Sequence, residues 1–159
     1  MTYTLSLKQG LIRACRARLE ARAQLMRHNM DEAQEEANAH IGAMASRYDT
    51  FKEEAQMRRD GYAVELDKTL RLIQALYTVP QRAQDTVGFG ALVQLQPANG
   101  SGSLHLFVFA SFSDEPLQVE DVAFRPISLT SPLGNVLDGR PAGATVTFRG
   151  TTYTVQQVI

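Results

Sequence analysis

The chain of 159 residues has a single cysteine, Cys15, so an internal disulfide is excluded and a reducing, cytoplasmic setting is expected. Proline is absent before Pro80, and glycine is scarce there: Gly10, Gly42 and Gly61 are the only three. Little in that half would break a helix. No apolar run approaches membrane-spanning length, and the opening MTYTLSLKQG lacks the apolar centre of a signal peptide, so no membrane contact is expected. An excess of one charge is missing too. The net charge of −1 does not mark the whole chain as a nucleic-acid binder, although a local patch still can. With 44% hydrophobic and 21% charged residues, the composition is that of a folded protein rather than a disordered one.

Two grammars divide the chain near Pro80. Up to residue 79, Ala, Arg, Glu, Gln, Leu and Met dominate, all good helix formers. Leu5, Leu11, Ile12, Cys15, Leu19, Leu25, Met26 and Met30 recur at helical spacing, followed by Ala33, Ala37 and Ile41. A second stripe runs through Phe51, Ala55, Tyr62, Leu66, Leu70, Ile73 and Tyr77. Each stripe is too narrow for a buried helix and too long for an isolated one, so the two are expected to pair as an antiparallel coiled-coil hairpin over 1–79. At 1.5 Å per residue each arm would be on the order of 50 Å long. Gly42 with its small neighbours offers the turn, and Ser46 or Asp49 a cap for the returning helix.

From residue 80 to 159, proline, glycine, Val, Thr and Phe take over. ALVQLQ at 91–96 and SLHLFVFA at 103–110 alternate around a turn at 97–102, and a terminal hairpin is expected across Arg149-Gly150. In SPLGNVLDG, Ser131 is placed to cap a short helix with Pro132 at its first position, stopping at Gly139. The fold class expected is α+β: a long helical hairpin, then a small antiparallel sheet carrying one short helix.

The arrangement, with Ile127, Ser128, Ser131, Pro132, Leu133, Gly134, Leu137, Gly139 and Gly143 in one pattern and Tyr153 and Val155 after it, resembles the Gre transcription factors of bacteria. VGFGALVQL at 87–95 is similar to the first strand of that family's C-terminal domain, and YDTFKEE at 48–54 to the start of its second hairpin helix. The resemblance covers nearly the whole chain. It implies an FKBP-like C-terminal domain that docks on the rim of the RNA polymerase secondary channel, through Ser131, Pro132, Leu133 and Gly134, with the hairpin entering the channel.

At the hairpin tip the chain departs from the family. Cleavage-stimulating members carry Gly-Asp-Leu-Ser-Glu-Asn-Ala-Glu-Tyr there, and the Asp and first Glu help hold a catalytic magnesium. Aligned on Tyr48, those positions are Ile41 and Met44, and Arg47 precedes the tyrosine. Neither an alkyl chain nor a thioether supplies the hard oxygen that magnesium demands. The tip, Ile41, Gly42, Met44, Arg47, Tyr48 and Asp49, is therefore expected to enter the channel without supplying the chemistry. Neither a cofactor nor a metal is expected, and the chain is read as a monomeric regulator rather than an enzyme.

Other signals admit two readings. Asp31, Glu32, Glu35 and Glu36 form an acidic run before the tip, either a solvated helix face or charge brought near the polymerase metal. Arg13, Arg16, Arg18, Arg22 and Arg27 with Lys8 make the first helix basic; Arg16, Arg18 and Arg22 either contact nascent RNA or DNA or shield the coiled-coil seam. His28, His40 and His105 lack metal-ligand spacing, and Ser101 has no activating base beside it. Two rival functions follow: a true cleavage factor using Asp49 or the 31–36 run, and a generic coiled-coil adaptor.

Overall fold

The computed structural model describes residues 1–39 and 45–159, with the side chains of 45–48 outside the description. Two long helices come first, α1 at Leu5–Ala39 and α2 at Ala45–Leu76. Strands follow: β1 at Leu92–Pro97, β2 at Leu104–Val108, β3 at Leu117–Val119 and β4 at Val122–Ile127. The short helix α3 at Pro132–Leu137 precedes β5 at Thr145–Phe148 and β6 at Thr151–Val158. The α+β class is as the sequence indicates. Among the described residues no helix is long and apolar enough to cross a membrane.

The compact units do not follow the change of composition at Pro80. One comprises Met1–Cys15 with Leu76–Ile159, the other Arg16–Ala75. The first turns of α1 thus belong with the sheet. Thr4 caps that helix, its Oγ1 accepting from Leu7 N at 3.1 Å. Leu7, Leu11, Ile12 and Cys15 are buried, and a methyl group at Gly10 would come within 3.3 Å of Val119 Cγ1.

In the helical unit the arms run antiparallel, as two ion pairs register: Arg22 to Glu65 at 3.1 Å and Arg58 to Glu36 at 2.6 Å. Leu19 and Ala23 are buried at one end of the seam; toward the other, the buried apolar residues among those described are alanines, Ala33, Ala37 and Ala55. Small side chains bury little area, so apolar stabilisation declines along the arms. Several expected stripe residues lie outside: Leu25 is 54% exposed, and Phe51 is also exposed. Ser46 and Asp49 lie within α2 rather than at its cap.

The sheet is six-stranded in the order β3-β4-β2-β1-β6-β5. It is mixed rather than wholly antiparallel, because β2 and β4 pair in parallel, Leu106 opposite Arg125 and Val108 opposite Ile127. β3, which lies between them in the chain, forms with β4 a hairpin unforeseen in the sequence that turns at Glu120 and Asp121, with φ of +49° and +64°. One face of the sheet buries Val93, Leu95, Leu106, Val108, Val146 and Val155 together with Leu137 of α3. On the other, the Tyr3 ring lies 5.6 Å from that of Phe124. Tyr3 N donates to Gln157 Oε1 at 2.6 Å, and the Tyr3 hydroxyl is 2.5 Å from His105 Nδ1. Burial raises the Tyr3 phenol's pKa, while burial and then the N-terminal charge lower that of His105.

Lys8 departs most from expectation. Read as part of a basic surface, it is fully buried, its Nζ donating to Arg82 O at 2.9 Å and Gln84 Oε1 at 2.8 Å. The ammonium thereby fastens the first turns of α1 to the segment that leads into the sheet. Burial, then the Arg82 charge, lowers its pKa from 10.5 to about 8. Between those values the unfolded chain holds a proton that the folded one has released, so stability rises with pH there. The full effect is on the order of 3 kcal/mol. Urea midpoints of the wild-type protein are expected to rise from pH 7.5 to 9.5, and those of Lys8→Met to lack that component. An equal rise in the variant would show that another group titrates.

Candidate docking groove

The turn that enters α3 is held by its own side chains. Ser131 has extended backbone, and its Oγ accepts from Gly134 N at 3.1 Å while donating to Ser128 O at 2.6 Å. Pro132 follows at the first helical position, where its missing N–H costs nothing. Ser128 N donates to Ser111 Oγ at 3.0 Å, and Thr130 N to Ser128 Oγ at 3.1 Å. Gly134 is buried with no room for a side chain: a Cβ would lie 2.0 Å from Ser128 O. Only glycine lets the helix come this near the preceding backbone. Gly139, at φ +77°, ends the turn beyond the helix and donates from its N to Val87 O at 2.8 Å.

Two of the four expected docking residues are thus accounted for by the fold itself, Ser131 as cap and Gly134 as contact. The other two are displayed. Pro132 is exposed, and Leu133 is half-buried, packed against the core cluster yet open on one side. Both border a groove of about 340 Å³. Its remaining wall includes Leu104 and His105 of β2, Arg125 of β4, Asp114, and Phe148 with Arg149 at the last hairpin. None of those six was singled out in the sequence as part of a docking site. Arg125 was hidden because β4 was unread: its turn residues, Glu120-Asp121, are not one of the glycine-containing pairs that mark a tight hairpin.

The tip residues are only partly placed. Ile41, Gly42 and Met44 lie outside the described residues, and Arg47 and Tyr48 are described only as backbone of α2. Asp49 is exposed on that helix. In the acidic run, Glu36 is engaged by Arg58 and Glu32 lies 3.1 Å from His28, while Asp31 and Glu35 are exposed. No three His, Cys, Asp or Glu side chains converge among the described residues. Of the basic residues, Arg22 holds Glu65 across the hairpin, and Arg16 and Arg18 are half-buried.

No family model matches the chain, and no curated protein matches it. Among solved structures, that of the GreA factor homolog 1 (Gfh1) protein of Thermus thermophilus is similar at a TM-score of 0.37 and 17% identity, over 91% of this chain and 94% of that one. Gfh1 of Thermus aquaticus is similar at 0.36 and 20%, over 92% and 94% respectively. A further structure, of the transcription factor Gfh1, gives 0.36 and 17%, over 90% and 92%.

The turn geometry sets an order of sensitivities. Ser131→Ala removes a cap and is expected to cost about 1 kcal/mol. Gly134→Ala must displace backbone and is expected to cost more, about 2–4 kcal/mol. Urea denaturation of both variants measures this; a Gly134→Ala variant as stable as wild type would mean that α3 can shift freely.

Proposed function

We propose that the chain is a non-enzymatic regulator of transcription elongation that docks on the rim of the RNA polymerase secondary channel and inserts its helical hairpin without stimulating transcript cleavage. The carrying observation is the turn at 128–134. Its Gre-like residues divide into those that build it, Ser131 and Gly134, and those it displays at the groove, Pro132 and Leu133. A turn fixed by capping, proline and close backbone contact presents its surface at low conformational cost on binding.

Support for the hairpin's role comes from its register and its residues. The helices, of 35 and 32 residues, are joined by a segment where Ile41 and Met44 stand in place of the family's carboxylates. Metal-assisted cleavage needs oxygen ligands that hold the ion and orient water. An alkyl chain and a thioether do neither, while the hairpin still occupies the space a cleavage factor uses.

Two outcomes are expected. Leu133→Asp, with native circular dichroism, should weaken binding to core RNA polymerase by about 1–3 kcal/mol; unchanged affinity in the folded variant removes Leu133 from the docking surface. In backtracked elongation complexes the wild-type protein should give no stimulation of cleavage and should compete with a cleavage-competent factor. Strong magnesium-dependent cleavage would instead move the chemistry to Asp49 or the 31–36 run.

A further inference from the structure

The groove carries a charge pattern that the docking turn alone does not explain. Its lining holds two guanidiniums, Arg125 and Arg149, against one carboxylate, Asp114. Among the described residues neither arginine is in an ion pair, whereas Arg22, Arg58, Arg59 and Arg71 of the helical unit each have a carboxylate within 3.8 Å. Arg149 also occupies a costly place. It precedes Gly150 in the β5–β6 turn with φ +50°, a left-handed position where Asn or Gly is the low-energy choice. Its guanidinium carbon lies 5.0 Å from the centroid of the Phe148 ring, and Phe148 itself lines the groove. A fork of donors laid on an aromatic face is already oriented for a carboxylate before any partner arrives.

The apolar lining limits what that partner can be. Leu104 is 40% exposed, and with Leu133 and Phe148 it offers contact area that a sugar-phosphate backbone would leave unused. Asp114 would repel a polyanion. These features complement a protein segment that carries carboxylates beside an apolar side chain.

Resting on the reading that RNA polymerase is the partner, we propose that Arg149 and Arg125 determine specificity in this groove by receiving the carboxylates of an acidic, apolar-anchored segment of the polymerase. Leu133 provides the apolar contact; the two guanidiniums select the sign of charge beside it.

The turn makes the test discriminating, because Arg149→Asn suits the left-handed position better than arginine does. This variant is expected to hold or raise the thermal midpoint while weakening binding to nucleic-acid-free core polymerase about tenfold, with a shallower salt dependence. Arg125→Gln, on an exposed strand position, should weaken binding in the same direction without loss of fold. Wild-type affinity in both variants, with Leu133→Asp still defective, overturns this inference and leaves the docking site standing. No binding by the wild-type protein overturns the docking reading and this one with it. A loss confined to RNA-bearing elongation complexes, with core binding intact, assigns the guanidiniums to nucleic acid and also overturns it.

Discussion

The carbonyl oxygen of Ser128 is the point about which the groove is arranged. It accepts from Ser131 N at 3.1 Å and Ser131 Oγ at 2.6 Å, and it fills the space where residue 134 would otherwise carry a Cβ. Two donors and one absent side chain converge on a single acceptor. That convergence fixes where α3 begins and how near it lies to the end of β4. Leu137 and part of Leu133 are thereby committed to the core, while Pro132 and the free side of Leu133 are left at the rim. The displayed residues owe their position to the buried ones, so recognition and folding share one turn without sharing the same side chains.

The helical unit is held by a different balance. Its seam begins with Leu19 and Ala23 and passes to alanines, while arginine–glutamate pairs span the arms at both levels. Ion pairs between half-exposed groups contribute little to stability, on the order of 1 kcal/mol or less each. They do favour one register, since sliding an arm would separate both pairs. A hairpin built this way is specified along its length more firmly than it is stabilised.

What the sequence disclosed depended on whether a residue's role was local. The helices follow from periodicity, and the α3 cap follows from Ser131, Pro132 and Gly134 standing next to one another. The terminal hairpin was legible because Arg149-Gly150 interrupts two runs of strand-forming residues. By contrast, β3 is three residues long and β4 contains a proline, Pro126, which argues against a strand by local rules. Their pairing is set by β2, far away in sequence, and that is where the groove's Arg125 was lost from view. Lys8 was misread for the same reason. A lysine on a helix between charged and polar neighbours is ordinarily solvated, and nothing local announces that Arg82 O and Gln84 Oε1, more than seventy residues on, will receive its ammonium. The polymerase-docking reading rested on a pattern of small residues whose structural part, the Ser131 cap and the Gly134 contact, is visible in the fold.

The placement of β6 also bears on how the molecule is made. This strand lies between β1 and β5, with Leu92 and Ile159 exchanging backbone hydrogen bonds at 2.9 and 3.1 Å. During synthesis the helical arms, whose contacts are mutual, are complete long before residues 151–159 emerge. The sheet is not, because its next-to-last position stays vacant and β1 keeps an open edge until then. Unpaired strand edges are where nascent chains associate wrongly. Until β6 is made, a paired hairpin is joined to an unfinished sheet, and residues 151–159 close the interval in which that edge can find another partner.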